Sequence, residues 1–400
     1  MIFPKLSKRI LKVNSSPTLF SKTKAEEMRR KGINIVNFGA GEPGFVTPKC
    51  IINSAIQAME KGFTHYTDPS GIDELKEAVQ EKLKKDNGLS YEKDGIIISS
   101  GGKHALYNII QVLCQEDDEV IIPAPYWTSY PEMVKLSGAK PVIVPTLEKD
   151  NFILSPRLLE RAITNKTKVF IFNNPCNPTG VVYERKRLEE IANVIKKKNI
   201  FIISDEVYEY IVYDGQKHVS FASLDDKLKE FCFTVNSLSK TYAMTGWRIG
   251  YAVGPKNIIS KVKLLQSQST SNPNSIAQKA SVTALHCSSN LVMEMVEEYK
   301  QRRDYIVKRI NQMGISYSKP AGTFYVFPNI SKYFGRKYGN NTITDSQSFA
   351  DLLLEKEKVM ILSGAPFGSK NHVRLSYGAT SLEEIKLGMN NIENFFNKLY

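Results

Sequence analysis

The sequence predicts an α/β protein: a mostly parallel central sheet with helices on both faces, plus a smaller α/β domain drawn from both chain ends. Three observations lead there. Short β-rich runs alternate with helical patterns through the middle of the 400-residue chain. Runs as apolar as FIFN and IFII read as strands buried on both faces, which is the habit of parallel sheets covered by helices. Polar candidates fall just after those strands, where open sheets of this kind take their ligands.

Taken in order, residues 1 to about 45 carry an early helix and the turn GAGEPGF. The core pattern then begins. DGIIISS reads as a strand and KHALYNIIQVLCQ as the helix after it. DEVIIPAP and AKPVIVP are two further strands, and TKVFIFNNP precedes a helix around residues 185 to 198. IFIISDEVY, EFCFTVNS and WRIGYAVG complete the set. From about residue 290 come a long helix (NLVMEMVEEYKQRRDYIVKRINQM), strand-like GTFYVFP, helix DSQSFADLLLEKEK, strand NHVRLSYG and a terminal helix. The expected division is a large domain over 46–289 and a small one from 1–45 and 290–400.

Composition narrows the class. A hydrophobic fraction of 42% and a charged fraction of 24% are those of a soluble globular protein. No run approaches the roughly 20 apolar residues that span a bilayer, and the start lacks a secretory pattern, so it reads as mature chain. The five cysteines (Cys50, Cys114, Cys176, Cys232, Cys287) show no metal-ligand spacing. Their odd number suggests a reduced, cytoplasmic setting without structural zinc. The formal charge of +13 is spread along helices with acids between, as in ERKRLEEIANVIKKK, so solvated faces explain it better than a nucleic-acid partner.

Four strand ends hold the chemistry. Gly101, Gly102 and Lys103 follow IIISS, where a glycine turn opening a helix can hold a phosphate or simply make a tight connection. The motif is neither GxGxxG nor GxxxxGKS/T, so a dinucleotide fold and a nucleotide-binding loop are both unsupported. NNPCNPTG follows VFIF, and its two X-Pro bonds can hold Asn177 rigidly. Asp205 and Tyr208 follow FIIS; a carboxylate there is costly unless paired, although Asp205 could also cap the next segment. Lys240 follows FTVNS among hydroxyls. A lysine that forms a Schiff base needs a lowered pKa, from partial burial and a nearby cation. Arg248 is such a cation and suits a phosphate, with Ser237 and Ser239 as hydroxyl donors.

These residues carry a resemblance. SLSKTYAMTGWRIG is similar at every position to the cofactor-lysine signature of class I pyridoxal-phosphate aminotransferases. The order GAGEP, YTDPSGIDELKEA, SSGGKHALYN, PAPYWTSYPEM, NNPCNPTG, SDEVYEY, the lysine motif, GTFYVFP and VRLSYG resembles the aspartate aminotransferase branch. It runs from about residue 6 to the C-terminus. The resemblance implies the large domain of a fold type I pyridoxal 5'-phosphate enzyme and a homodimer. Lys240 would hold the cofactor and later move a proton. Asp205 would pair with the pyridine nitrogen, Asn177 and Tyr208 with the ring's phenolic oxygen, and Trp127 would stack on the ring. Gly101, Gly102, Ser237 and Arg248 would hold the phosphate, and Tyr66 would reach the partner's phosphate. For substrate, Arg374 would grip the α-carboxylate, Gly41 would let the chain pass close, and Lys103 would meet a side-chain carboxylate.

Three departures stand out. Gly44 and Val46 replace acids usual in relatives, and Thr323 stands where alanine is usual. Asn14, not Lys12, aligns with a lysine that helps some relatives accept prephenate. The implied reaction moves the amino group of L-aspartate to 2-oxoglutarate by a ping-pong route, giving oxaloacetate and L-glutamate. The alternatives are a related aminotransferase with broader substrates (prephenate, aromatic or alanine-type), a C–S lyase, or a transcription regulator. The last would need a DNA-binding domain, and the segment before the core has no helix-turn-helix reading.

Overall fold

All seven apolar runs of the chain's middle form one sheet in the computed structural model, which describes residues 6–15, 23, 25–28 and 30–400. The strands are Ile96–Ser99 (β1), Glu119–Ala124 (β2), Lys140–Pro145 (β3), Thr167–Asn173 (β4), Phe201–Asp205 (β5), Cys232–Ser237 (β6) and Gly250–Val253 (β7). Their spatial order is β1-β7-β6-β5-β4-β2-β3. Only β7 runs against its neighbours, β1 and β6, so the other six strands point the same way.

Alternation along each strand sorts side chains into two cores. Ile97, Val120, Ile122, Val169, Ile171, Ile203 and Phe233 meet the helices Gly102–Leu113 (α2) and Ser129–Ser137 (α3). Ile96, Ile98, Ile121, Phe170, Phe172 and Ile202 face the other way, towards Leu188, Ile191 and Ile195 of the helix Arg185–Lys198. With helices on both faces, β1, β6 and β7 are buried throughout, whereas the edge strand β3 is largely open.

The helix Lys49–Glu60 (α1) packs against Ser275–His286 (α4), and Ser289–Gln312 (α5) follows at once. A second, antiparallel sheet is made of Tyr325–Val326 (β8), Leu362–Ser363 (β9) and Val373–Ser376 (β10), in the order β9-β10-β8. GTFYVFP yields only two strand residues. Thr323 takes φ +60° before them, and Pro328 has no N–H to pair after them. Val36–Asn37 pairs in parallel with Val359–Met360, tying the early chain to the late chain. The last two helices start in reciprocal caps at Asp345 and Ser381. Of the early helix, residues 23, 25–28 and 30 are helical, and the remainder lies outside the described residues. Among the described residues no helix is long and apolar enough to cross a membrane.

Candidate active site

Where β1, β4, β5 and β6 end, a cavity of about 410 Å³ opens. Gly41, Gly102, Lys103, Trp127, Asn177, Asp205, Tyr208, Ser237, Lys240, Arg248 and Arg374 all line it. Gly101 stands one residue behind this wall. Tyr66 does not line it; its side chain is 91% exposed.

Asp205, the last residue of β5, is buried. Its Oδ2 accepts from the Tyr130 hydroxyl at 2.6 Å and its Oδ1 from the Val207 N–H at 3.3 Å. Burial pushes its carboxyl up to about 6, while those two hydrogen bonds pull the other way. Beside it, Asn173 ends β4. Asn173 donates from Nδ2 to the Asp205 carbonyl (2.9 Å) and accepts from the Asn177 N–H (2.8 Å), which fixes the turn that presents Asn177.

Arg374 sits in β10, within the second sheet. It donates to Asn177 Oδ1 (3.2 Å) and to the Gly39 carbonyl (2.9 Å), and its guanidinium lies 4.4 Å from the centre of the Tyr325 ring. Among the described residues its Nε is buried without a partner. The Tyr208 and Tyr325 hydroxyls are 2.8 Å apart, and burial holds the Tyr208 phenol far above its ordinary pKa, so it stays protonated. Tyr130, Asn173 and Tyr325 were not singled out from sequence. Tyr130 lies three residues beyond Trp127 in PAPYWTSYPEM, a helical spacing that could have flagged it.

The Lys240 amine, in the turn after β6, donates to the Gly41 carbonyl at 2.5 Å. Burial lowers its pKa to about 8; Glu42 opposes this, and Arg374 and Arg248 add to it. Arg248 has φ +58° and donates to the Thr245 and Ser100 carbonyls (2.9 and 3.3 Å), so its guanidinium lies against the glycine turn. Gly101 has φ +89°, and a Cβ there would stand 2.4 Å from Arg248 Nη2. Ser237 caps the turn of Lys240 by accepting from the Ser239 N–H at 3.1 Å.

Lys103, in the first turn of α2, holds its amine 4.9 Å over the Trp127 ring. Burial, then Arg248, lower its pKa, and no acidic side chain pairs with it among the described residues. A second hollow of about 730 Å³ adjoins it, lined in part by Asn14, Lys103 and Arg248. Asn14 is engaged with the Glu132 carboxylate through its backbone N–H (2.8 Å) and its amide (3.3 Å). Gly44 packs on the backbone of Ala379, where a Cβ would meet the carbonyl oxygen at 2.8 Å, and Val46 is 80% exposed.

A lysine just past a strand end, beside a buried carboxylate that makes no ion pair among the described residues and a cationic glycine turn, is the equipment of a transaminating enzyme. The chain belongs to the aminotransferase class I and II family, whose family model matches residues 33–392. It is 45% identical to an aspartate aminotransferase of Bacillus subtilis, over 98% of this chain and 99% of that one. It is 44% identical to a probable aspartate/prephenate aminotransferase of Rickettsia conorii, over 97% of each. The crystal structure of an aspartate aminotransferase from Rhizobium meliloti superposes with a TM-score of 0.96 at 37% identity, covering all of both chains.

Enzymes of this family use pyridoxal phosphate. The groups present fit it. The Asp205 carboxylate makes no ion pair among the described residues and can take a ring N–H. The bare α-carbon of Gly102 leaves the start of α2 open beside Ser237, whose Cβ would be 3.4 Å from a side chain there. Arg248 brings a fixed positive charge to the same turn.

Proposed function

We propose that the protein is an aspartate aminotransferase, passing the amino group of L-aspartate to 2-oxoglutarate with release of oxaloacetate and L-glutamate. The observation that carries this reading is the pair of cations lining one cavity, Arg374 and Lys103, with Lys240 lining it as well. A dicarboxylic amino acid presents two anions to two cations. The names of the relatives support the same substrate.

Pyridoxal phosphate, when bound, supplies an electron-withdrawing ring that stabilises negative charge at the substrate's α-carbon. The chain does the rest. Arg374 binds the α-carboxylate in a two-point grip, pre-aimed by Asn177, Gly39 and the Tyr325 ring. Lys103 binds the distal carboxylate. Asp205 would keep a proton on the pyridine nitrogen, Asn177 and Tyr208 would hydrogen-bond the ring oxygen, and Trp127 would stack on the ring. Gly101, Gly102, Ser237 and Arg248 would hold the phosphate. Lys240 Nζ would take the proton from the substrate's α-carbon and hold it as an ammonium ion, a task suited to an amine with a pKa of about 8. Gly41, where a Cβ would stand 3.0 Å from the Tyr325 hydroxyl and 3.6 Å from Arg374 Nη2, leaves room for the substrate beside Arg374.

The reading includes a large domain over 46–289 that holds the seven-stranded sheet, and a small one from 1–45 and 290–400 that brings Arg374. It also includes a homodimer in which the exposed Tyr66 reaches the partner's phosphate site. A cytoplasmic location accords with the odd set of free thiols. The test is the absorbance of the purified holoenzyme given L-aspartate alone. The cofactor's visible band should fall as oxaloacetate appears in equal amount, and 2-oxoglutarate should restore it. A band that ignores aspartate but answers an aromatic amino acid or prephenate-derived donor moves the substrate; no band with added cofactor rejects the enzyme.

A further inference from the structure

Outside the cavity, Cys50 and Cys287 meet with their Sγ atoms 3.0 Å apart. Cys50 stands in the first turn of α1 and is exposed, while Cys287 caps the last turn of α4 and is partly exposed. Helix packing, not a loop, sets the pair. Thr283 donates to Ser54 (2.9 Å) and Ser275 to the Phe63 carbonyl (3.1 Å). The three contacts 50/287, 54/283 and 63/275 therefore run antiparallel down the two helices. Buried Ile51 and Ala55 of α1 and Ala280 and Ala284 of α4 belong to one apolar core. Cys287 is followed directly by Ser288, the cap of α5, and Cys50 comes just after Thr47 and Pro48. The thiols thus sit where the chain enters the region of the large sheet and where it leaves.

We propose that Cys50 and Cys287 form an oxidisable dithiol, a modification site that low-molecular-weight disulfides convert to an intramolecular disulfide. Cys50 is the attacking group because it is open to solvent. Burial and the adjoining Cys50 push the Cys287 thiol up to about 12, which keeps it protonated until its turn. The Cys50 thiolate attacks one sulfur of the small disulfide, RSSR; that S–S bond breaks and the first thiolate leaves, taking up the proton Cys50 gave. Cys287 then loses its proton to solvent and attacks Cys50 Sγ, expelling the second thiolate, which is protonated in turn. Two protein thiols give up two electrons and two protons, and RSSR becomes two RSH. The helices need not separate, since the sulfurs close by only about 1 Å to a bond of about 2.05 Å. The new link would close a loop between residues 237 positions apart and restrain the unfolded chain.

The experiment is incubation of the full-length holoenzyme with glutathione disulfide, followed by thiol counting, peptide mapping and thermal melting. Two of the five thiols should disappear, a Cys50–Cys287 cross-linked peptide should appear without bound glutathione, and the Tm should rise by several degrees until dithiothreitol restores it. C287S should instead keep one glutathione on Cys50, and C50S should take up none at that rate. A wild-type protein that retains all five thiols, carries a lasting glutathione on Cys50, or links between chains overturns the proposal. The aminotransferase reading stands or falls separately, on the spectral response to aspartate.

Discussion

The hydroxyl of Tyr130 donates to Asp205 Oδ2 over 2.6 Å, with both side chains buried beneath the cavity. The bond opposes burial, which has already brought the Asp205 carboxyl to about 6 from 3.8. The folded state therefore holds that proton more tightly than the unfolded chain, and the group's contribution to apoprotein stability is lost as pH rises from about 4 to about 6. Tyr130→Phe removes a hydrogen bond to a charged group, ~1.5–3 kcal/mol, or about 1–2 pH units. The acid limb of pyridoxal phosphate binding, and of kcat/KM, should move up by about one unit or more. An unmoved limb would reduce Tyr130 to packing.

Gly101 makes a narrower demand. Its φ of +89° disfavours any side chain, and a Cβ would stand 2.4 Å from Arg248 Nη2 and 2.9 Å from its Cζ. Gly101→Ala must push the guanidinium off the turn. The expected result is a cofactor dissociation constant raised about 10-fold or more, equal to about 1.4 kcal/mol, by titration of the apoprotein. Binding as tight as in wild type would mean that Arg248 does not need its place against the turn.

Much of this was legible because parallel strands buried on both faces are written in unbroken apolar runs, and the residues after them had to be polar for a reason other than folding. IIIS, VFIF, FIIS and FTVN led straight to the glycine turn, Asn177, Asp205 and Lys240. What escaped depends on side chains meeting from separate elements. The helical spacing in PAPYWTSYPEM sets Tyr130 on the face of Trp127 but does not say that its hydroxyl reaches Asp205, and Asn173 reads as the polar end of a strand until its two bonds are seen. Gly44 looked like a lost acid; its cause is the Ala379 backbone, more than 300 residues away. The Cys50–Cys287 contact spans 237 positions with no local pattern.

Lys103 separates substrate classes. Its amine faces the cavity over Trp127 with no acidic partner among the described residues, so a bound carboxylate would be its first. Lys103→Gln keeps length and polarity but removes the charge. Loss of a partly buried ion pair costs about 2 kcal/mol or more, a ~30-fold fall in kcat/KM for aspartate and 2-oxoglutarate. Aromatic donors, with no second carboxylate, should change by much less. Equal losses for both classes would remove Lys103 from substrate recognition.

Lys240 offers a test that does not need turnover. In the apoprotein its amine has a pKa of about 8, against 10.5 for an ordinary lysine, because burial penalises the ammonium form. The unfolded chain therefore binds this proton more tightly, and unfolding takes up a proton between those two values. By linkage, stability must climb as pH rises from about 8 to about 10.5, by at most ~3 kcal/mol and by less to the extent that the cavity admits water. Lys240→Met abolishes that climb while also abolishing turnover, since among the described residues Lys240 alone donates an amine to the Gly41 carbonyl. Denaturant midpoints of the two apoproteins, compared from pH 7.5 to pH 10, should converge as the pH rises, with the wild type gaining. Parallel curves would mean that the Lys240 amine is as well solvated as a surface lysine, and the proton transfer assigned to it would need another source of neutral base.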